Sequence, residues 1–194
     1  MKIGVLALQG AFIEHIKMLK QLDVETAEVR LPEQLEGLDG LIIPGGESTT
    51  IGKLATEYGL IEPMREFVSH KPTWGTCAGM IFLAKNIGID EQPILGAMDI
   101  QVNRNAFGRQ LDSFETDIKI DGLSSEPFHA VFIRAPVVTK ADTPVKILAQ
   151  LSDGQIVAVQ QNHLLATAFH PELTNDLRLH SYFCDIVDKT PSIE

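Results

Sequence analysis

Cysteine is nearly absent from this chain: Cys77 and Cys184 are the only two in 194 residues. Two thiols make no disulfide framework, so the fold must hold by its core alone. The reducing cytosol is the natural compartment, and it keeps a reactive thiol intact. Positive charge is also scarce. Lys and Arg number 16 against 26 Asp and Glu, a formal net charge of −10. An acidic chain without a basic run is a poor partner for nucleic acid or an anionic membrane. No apolar stretch is long enough to span a bilayer. The opening run from Met1 to Gly10 is too short and too quickly interrupted for a signal peptide, and reads as a first buried strand. There is no internal repeat, low-complexity tract or linker. No His/Cys/Asp/Glu spacing fits a metal site, and no cofactor is expected. What remains is an ordinary soluble composition, 44% hydrophobic and 22% charged, sized for a single α/β domain over residues 1–194.

The first half alternates strand and helix patterns. Lys2 to Leu8, Val24 to Val29 and Gly40 to Ile43 read as strands. Ala11 to Leu22 carries Phe12, Ile16, Leu19 and Leu22 at helical spacing. This β-α-β rhythm predicts a parallel sheet with right-handed crossovers. After the third strand comes Pro44-Gly45-Gly46-Glu47-Ser48-Thr49-Thr50. Two glycines there let the backbone approach a ligand, and Ser48, Thr49 or Thr50 is expected to cap a helix running to Tyr58. The same segment reads equally as a plain strand-to-helix turn. It lacks the Lys of a phosphate-binding loop. Glu62 to His70 reads as a further helix and Pro72 to Thr76 as a further strand.

Gly75-Thr76-Cys77-Ala78-Gly79 follows, between an apolar strand and the helical run Met80 to Ala84. It is the strand–turn–helix elbow of a nucleophile, with Cys in place of Ser. A helix starting beyond Cys77 favours thiolate, and amides near its start suit a developing oxyanion. The alternative is a small buried hydrophobe between two packing glycines. Ligands in parallel sheets bind beyond the carboxyl ends of the strands, where Gln9, Gly46 and Cys77 would meet.

Past the elbow, short β-rich runs predominate: Leu95 to Asn103, Phe114 to Ile120, Ala130 to Ile133, Val145 to Leu151, Gln155 to Gln160 and Leu164 to Phe169. Asp153-Gly154 signals a hairpin. The second half is therefore expected to be antiparallel or mixed. Leu173 to Val187 closes the chain as a helix, with Thr174 or Asn175 near its start and Cys184 in the core.

A nucleophilic Cys needs a base, and the base needs orientation. In Ala168-Phe169-His170-Pro171-Glu172, residues two apart in extended chain point the same way. Pro171 favours extended backbone at His170. Glu172 can then hold one imidazole nitrogen while the other faces the sulfur. The alternative is a strand-end His beside a solvated Glu. His15 and His180 sit on helices and read as surface or packing residues. His129 and His163 have no orienting carboxylate nearby in the sequence. Arg104, Arg109 and Arg134, beside turns, suit recognition of a carboxylate, although any one such arginine also reads as a solvated surface residue.

These segments together resemble class I, triad-type glutamine amidotransferases: Pro44-Gly45-Gly46-Glu47-Ser48, Gly75-Thr76-Cys77-Ala78-Gly79 and His170-Pro171-Glu172, in that order. Leu8-Gln9-Gly10-Ala11, Arg104-Asn105-x-Phe107-Gly108-Arg109-Gln110 and Phe132-Ile133-Arg134-Ala135-Pro136 are similar to one branch, the glutaminase subunits of pyridoxal 5′-phosphate synthases. Asn103 departs from that branch, where an acidic residue is expected before the arginine. The resemblance implies a three-layer α/β sandwich of flavodoxin-like type, with a mostly parallel central sheet and an antiparallel, β-rich second half. It implies catalysis by Cys77, His170 and Glu172, with an oxyanion hole at Gly46 and Ala78. It further implies L-glutamine contacts from Gly46, Glu47, Ser48, Arg104, Ile133 and Arg134. The implied partner is a (β/α)8-barrel synthase subunit that receives ammonia. Flipping of a peptide in the Gly45-Gly46 turn is expected to switch the glutaminase with that partner. Rival expectations are a glutaminase for another synthase, such as one of histidine or purine synthesis, a silent regulatory subunit on the same scaffold, or a related Cys hydrolase or peptidase.

Overall fold

The structure is a computed structural model that describes residues 1–88, 92–104 and 113–191. The elements run β1 (Lys2–Leu6), α1 (Phe12–Gln21), β2 (Glu25–Val29), a 3₁₀ turn (Pro32–Leu35), β3 (Gly40–Ile43), α2 (Ser48–Glu57), α3 (Ile61–His70) and β4 (Thr73–Thr76). Then come α4 (Ala78–Leu83), β5 (Ala84–Asn86), β6 (Met98–Asn103), β7 (Ser113–Ile118), β8 (Phe128–Ile133), β9 (Val137–Ala141), β10 (Lys146–Gln150), β11 (Ile156–Gln161) and β12 (Leu164–Thr167). A 3₁₀ turn (Pro171–Leu173) and α5 (Arg178–Lys189) complete it.

The main sheet has the order β2-β1-β3-β4-β12-β11-β9-β6-β5, with β10 on β11. From β2 through β12 every pairing is parallel. From β12 onward β11, β9, β10 and β6 pair antiparallel, and β5 returns to parallel on β6. This is the expected mixed architecture. The parallel strands β1, β3, β4 and β12 are almost wholly buried, as strands covered on both faces must be. β7 and β8 form a separate antiparallel pair.

The layers can be read at β4, where successive side chains point to opposite faces. Trp74 meets His15 of α1 and His180 and Phe183 of α5. Gly75 faces the other way, and a Cβ there would stand 2.4 Å from the backbone of Gly79 in α4. Trp74 is fully buried; truncating such a side chain to Ala costs about 3–5 kcal/mol.

Several elements differ from expectation. β5 is not among the expected strands, and Ala84, which reads as the end of the helical run from Met80, belongs to that strand. β9 has no strand signal of its own: its short run lies between Pro136 and the polar Thr139-Lys140, and its strand character comes from pairing with β6 and β11. The last helix starts at Arg178 rather than Leu173, because Pro171–Leu173 forms a 3₁₀ turn and Asp176 Oδ1 then accepts from the Arg178 amide at 3.0 Å. Glu47, not Ser48, Thr49 or Thr50, caps α2: its carboxylate accepts from the amides of Thr49 at 3.1 Å and Thr50 at 2.7 Å.

Candidate active site

Four parallel strands bring the candidate residues together at their carboxyl ends. Gln9 follows β1, Gly46 follows β3, Cys77 follows β4 and His170 follows β12. These segments, with Arg104 after β6 and Ile133 and Arg134 at the end of β8, line one cavity of about 360 Å³; Gly46, Glu47, Ser48, Cys77, Ala78 and His170, together with Gln9 and Ile81, complete its wall. Glu172 sits behind this wall, fully buried at its side chain. Arg109 and the Asn105 to Gln110 part of its motif lie outside the described residues.

Cys77 stands on a true elbow. Its φ is 48° and ψ −105°, a region that non-glycine residues rarely occupy and that typically costs about 1–3 kcal/mol. The surroundings hold it there. Its amide donates to Thr167 O at 2.8 Å, locking the turn to the end of β12. A Cβ on Gly79 would stand 2.0 Å from the Ile43 carbonyl oxygen, so only glycine lets α4 pack this closely on β3. Cys77 is 6% exposed, and its sulfur lies 3.9 Å from Ile133 O.

His170 is positioned from both sides. Its amide donates to Val131 O of β8 at 2.8 Å, and its Nδ1 lies 2.7 Å from Glu172 Oε1. The imidazole and the Cys77 side chain meet at Gly45 and line the same cavity. Burial pushes the His170 pKa down, but the interactions with Cys77 and Glu172 outweigh that and raise it to about 10. The imidazole is therefore cationic at neutral pH, between a sulfur and a carboxylate. Gly45 makes room for this pair: a Cβ there would lie 2.3 Å from His170 Cε1 and 3.2 Å from Cys77 Cβ.

The Gly45-Gly46 turn is tied to the loop after β1. Ala11 N donates to Gly45 O at 3.1 Å, and Glu47 N donates to Gln9 Oε1 at 2.7 Å. Arg104 Nη2 lies 3.2 Å from Thr49 Oγ1 and 3.5 Å from Glu47 Oε1, so the guanidinium is held at the cavity wall. Burial works to raise the Glu47 pKa, but hydrogen bonds from Thr50 and Thr49 bring it down to about 2. Arg134 is exposed and has a φ of 42°.

Comparison with known proteins identifies the family. Residues 5–189 match the SNO glutamine amidotransferase family. The chain belongs to the SNO glutamine amidotransferase family. Its relatives include a protein of Herpetosiphon aurantiacus named pyridoxal 5′-phosphate synthase subunit PdxT, 59% identical over 94% of this chain and 98% of that protein. A Moorella thermoacetica protein of the same name is 58% identical over 96% of this chain and 100% of its own length. A crystal structure described as a glutamine amidotransferase superposes with a TM-score of 0.91 at 54% identity, covering 96% of this chain and 98% of that one. The structure of PurLQS from Thermotoga maritima has a TM-score of 0.70 at 13% identity, over 95% of this chain and 97% of the matched one, a likeness of fold alone.

Three histidines of this family member sit differently from the expectation. His15 and His180 are fully buried, and His15 reaches Glu172. On an amphipathic helix a buried His and a surface His look alike in sequence. His129 does have orienting carboxylates, Asp117 and Glu115, each 2.9 Å from a ring nitrogen. They come from the facing strand β7, where register rather than sequence proximity sets the contact. These carboxylates raise the His129 pKa, yet the group is exposed and away from the cavity. Cys184 is half-buried at the edge of the core, and burial raises its pKa to about 11, the reverse of a reactive thiol.

Proposed function

We propose that the chain hydrolyses L-glutamine to L-glutamate and ammonia through a Cys77 thioester. The ammonia passes to a (β/α)8-barrel synthase subunit that makes pyridoxal 5′-phosphate. The observation that carries the reading is His170, bonded through Nδ1 to Glu172 and set beside Cys77 at the wall of the cavity. The names of the relatives support the synthase assignment.

The cycle begins from the thiolate–imidazolium pair. Cys77 Sγ attacks the side-chain amide carbon of glutamine, and the carbonyl π pair moves to oxygen. The amides of Gly46 and Ala78 hold that oxyanion. His170 gives its proton to the amide nitrogen, the C–N bond breaks and ammonia leaves. A γ-glutamyl thioester remains, with His170 neutral. His170 then takes a proton from water as the water oxygen attacks the thioester carbon. The C–S bond breaks, glutamate leaves, and the ion pair is restored. Glu172 holds His170 Nδ1 throughout and stabilises its charge. Glu47, Ser48, Arg104, Ile133 and Arg134 hold the glutamine, with Arg104 offering a forked cation to its α-carboxylate. A flip of the Gly45-Gly46 peptide completes the oxyanion hole when the synthase docks. The complex works in the cytoplasm.

The test is glutamate release from glutamine by the purified chain, with and without a pyridoxal 5′-phosphate synthase subunit, beside Cys77→Ala. Release that rises on adding the synthase and disappears in the variant supports triad, substrate and partner together. Release that needs Cys77 but ignores this synthase redirects the acceptor to another ammonia-using enzyme. No release from a folded, synthase-bound chain overturns the glutaminase reading in favour of a silent subunit.

A further inference from the structure

The side of Glu172 that His170 does not use faces an unassigned buried network. Glu172 Oε2 is buried and accepts no hydrogen bond within ordinary limits. His15 Nε2 stands 3.4 Å from it, with both side chains fully buried. The same nitrogen is 3.2 Å from Thr76 Oγ1. The other ring nitrogen, Nδ1, is 2.9 Å from His180 Nε2. His180 Nδ1, at the far end of this row, is buried and has no partner. Trp74 packs edge-on against both imidazoles, at ring distances of 5.6 and 4.9 Å.

One arrangement of protons satisfies this geometry. A carboxylate oxygen only accepts. If His15 Nε2 carried a lone pair, it would point at the carboxylate in a buried site. His15 Nε2 therefore carries the hydrogen, bonded to Thr76 Oγ1 and turned toward Glu172 Oε2 at 3.4 Å as an electrostatic contact. His15 Nδ1 must then accept, so His180 Nε2 donates to it. His180 Nδ1 is left as a bare acceptor, consistent with its lack of a partner.

We propose that His15 is a positioning residue for the amide hydrolysis: its Nε2–H fixes the Glu172 carboxylate from behind, and His180 fixes the tautomer of His15. His15 does this as a neutral donor. A cation there would compete with His170 for the carboxylate charge. Burial lowers the pKa of His15 well below its ordinary value, with lesser electrostatic contributions from His180 and His170 in the same direction, and burial brings His180 to about 3. The groups facing His15 are thus His180 from α5, Thr76 and Trp74 from β4, and Glu172 and His170 from the segment after β12. The kinetic consequence rests on the proposed glutaminase reading; the proton arrangement does not.

Two measurements test it. The first is imidazole ¹H–¹⁵N correlation on the labelled full chain between about pH 5 and 9. His15 and His180 are expected as non-titrating Nε2–H tautomers. A His15 that is Nδ1–H or cationic at neutral pH overturns the proposal, whatever the enzyme's activity. The second is glutamate release with the synthase present. His15→Leu is expected to lose about tenfold to a hundredfold in kcat, the usual scale for a lost outer partner, with KM for glutamine nearly unchanged. His15→Gln, which can return an N–H near the Nε2 position, is expected to recover most of it. Full kcat in His15→Leu, or no recovery in a folded His15→Gln, overturns the proposal. Should the leucine variant fail to fold, the tautomer and the glutamine variant decide the matter.

Discussion

Gly45 lies so close to His170 that a methyl group on its Cα would stand 2.3 Å from the imidazole Cε1. The backbone of one loop thereby sets where the imidazole of another can be. Gly45→Ala is expected to push His170 off the sulfur. A misplacement of about 1 Å costs roughly a hundredfold in rate, so kcat should fall at least that far in a chain that still folds. Glutamate release in the presence of the synthase measures it; kcat near the parent value would show that the close approach is dispensable.

His170 should stay cationic well into the alkaline range. Its folded pKa of about 10 is held up by Cys77 and Glu172 against burial. Cys77→Ala and Glu172→Gln are each expected to bring it down, visible in the imidazole resonances. Because the folded pKa lies above the unfolded one, the stabilisation is complete below about pH 6.5 and is lost as pH rises through about 10. Between pH 7 and 10, urea midpoints should fall less steeply in the variants than in the parent.

The opposite sign applies on the acid side. Burial holds His180 neutral, with a pKa of about 3, and lowers that of His15 in the same direction. The unfolded chain binds protons there first, so this contribution is present above about pH 6.5 and is lost as pH falls toward 3. Parent stability should drop between pH 7 and 4.5, and His180→Phe should flatten that slope even if it lowers the absolute value. Equal slopes would mean that the pair titrates normally.

Glu47 supports both a helix and an arginine. Glu47→Ala removes the cap of α2 and is expected to cost about 1 kcal/mol of stability. It also removes the carboxylate 3.5 Å from Arg104 Nη2, leaving Thr49 Oγ1 beside the guanidinium. KM for glutamine should rise, while Arg104→Ala should raise it further, by about tenfold or more if the guanidinium makes a charge-assisted bond to substrate. An unchanged KM in Arg104→Ala would remove that residue from the site.

The parts of the site legible in sequence are those encoded over a few residues. Gly75 to Gly79 specifies the elbow through glycines that pack and a strand–helix change of period. His170-Pro171-Glu172 announces the imidazole–carboxylate pair by its spacing, although the contact is made through a 3₁₀ turn at Pro171–Leu173 and not through the extended chain expected. The parts that are not legible depend on contacts across the chain. His15 meets Glu172 only because α1 and the segment after β12 share one side of β4. Glu47 takes the cap because Gln9 holds its amide, which no local pattern announces. The carboxylates around His129 come from strand register. Sequence periodicity shows that a helix has an inner face, but not which polar group on that face finds a partner.

Trapping the acyl-accepting atom tests the central claim most directly. The chain with its synthase partner would be treated with a glutamine analogue bearing a diazo ketone in place of the side-chain amide, then digested and mapped by mass spectrometry. The account predicts stoichiometric alkylation at Cys77, none at Cys184, protection by glutamine and parallel loss of glutamate release. Loss of activity with the adduct elsewhere, or glutamate release that persists with Cys77 fully modified, would contradict it.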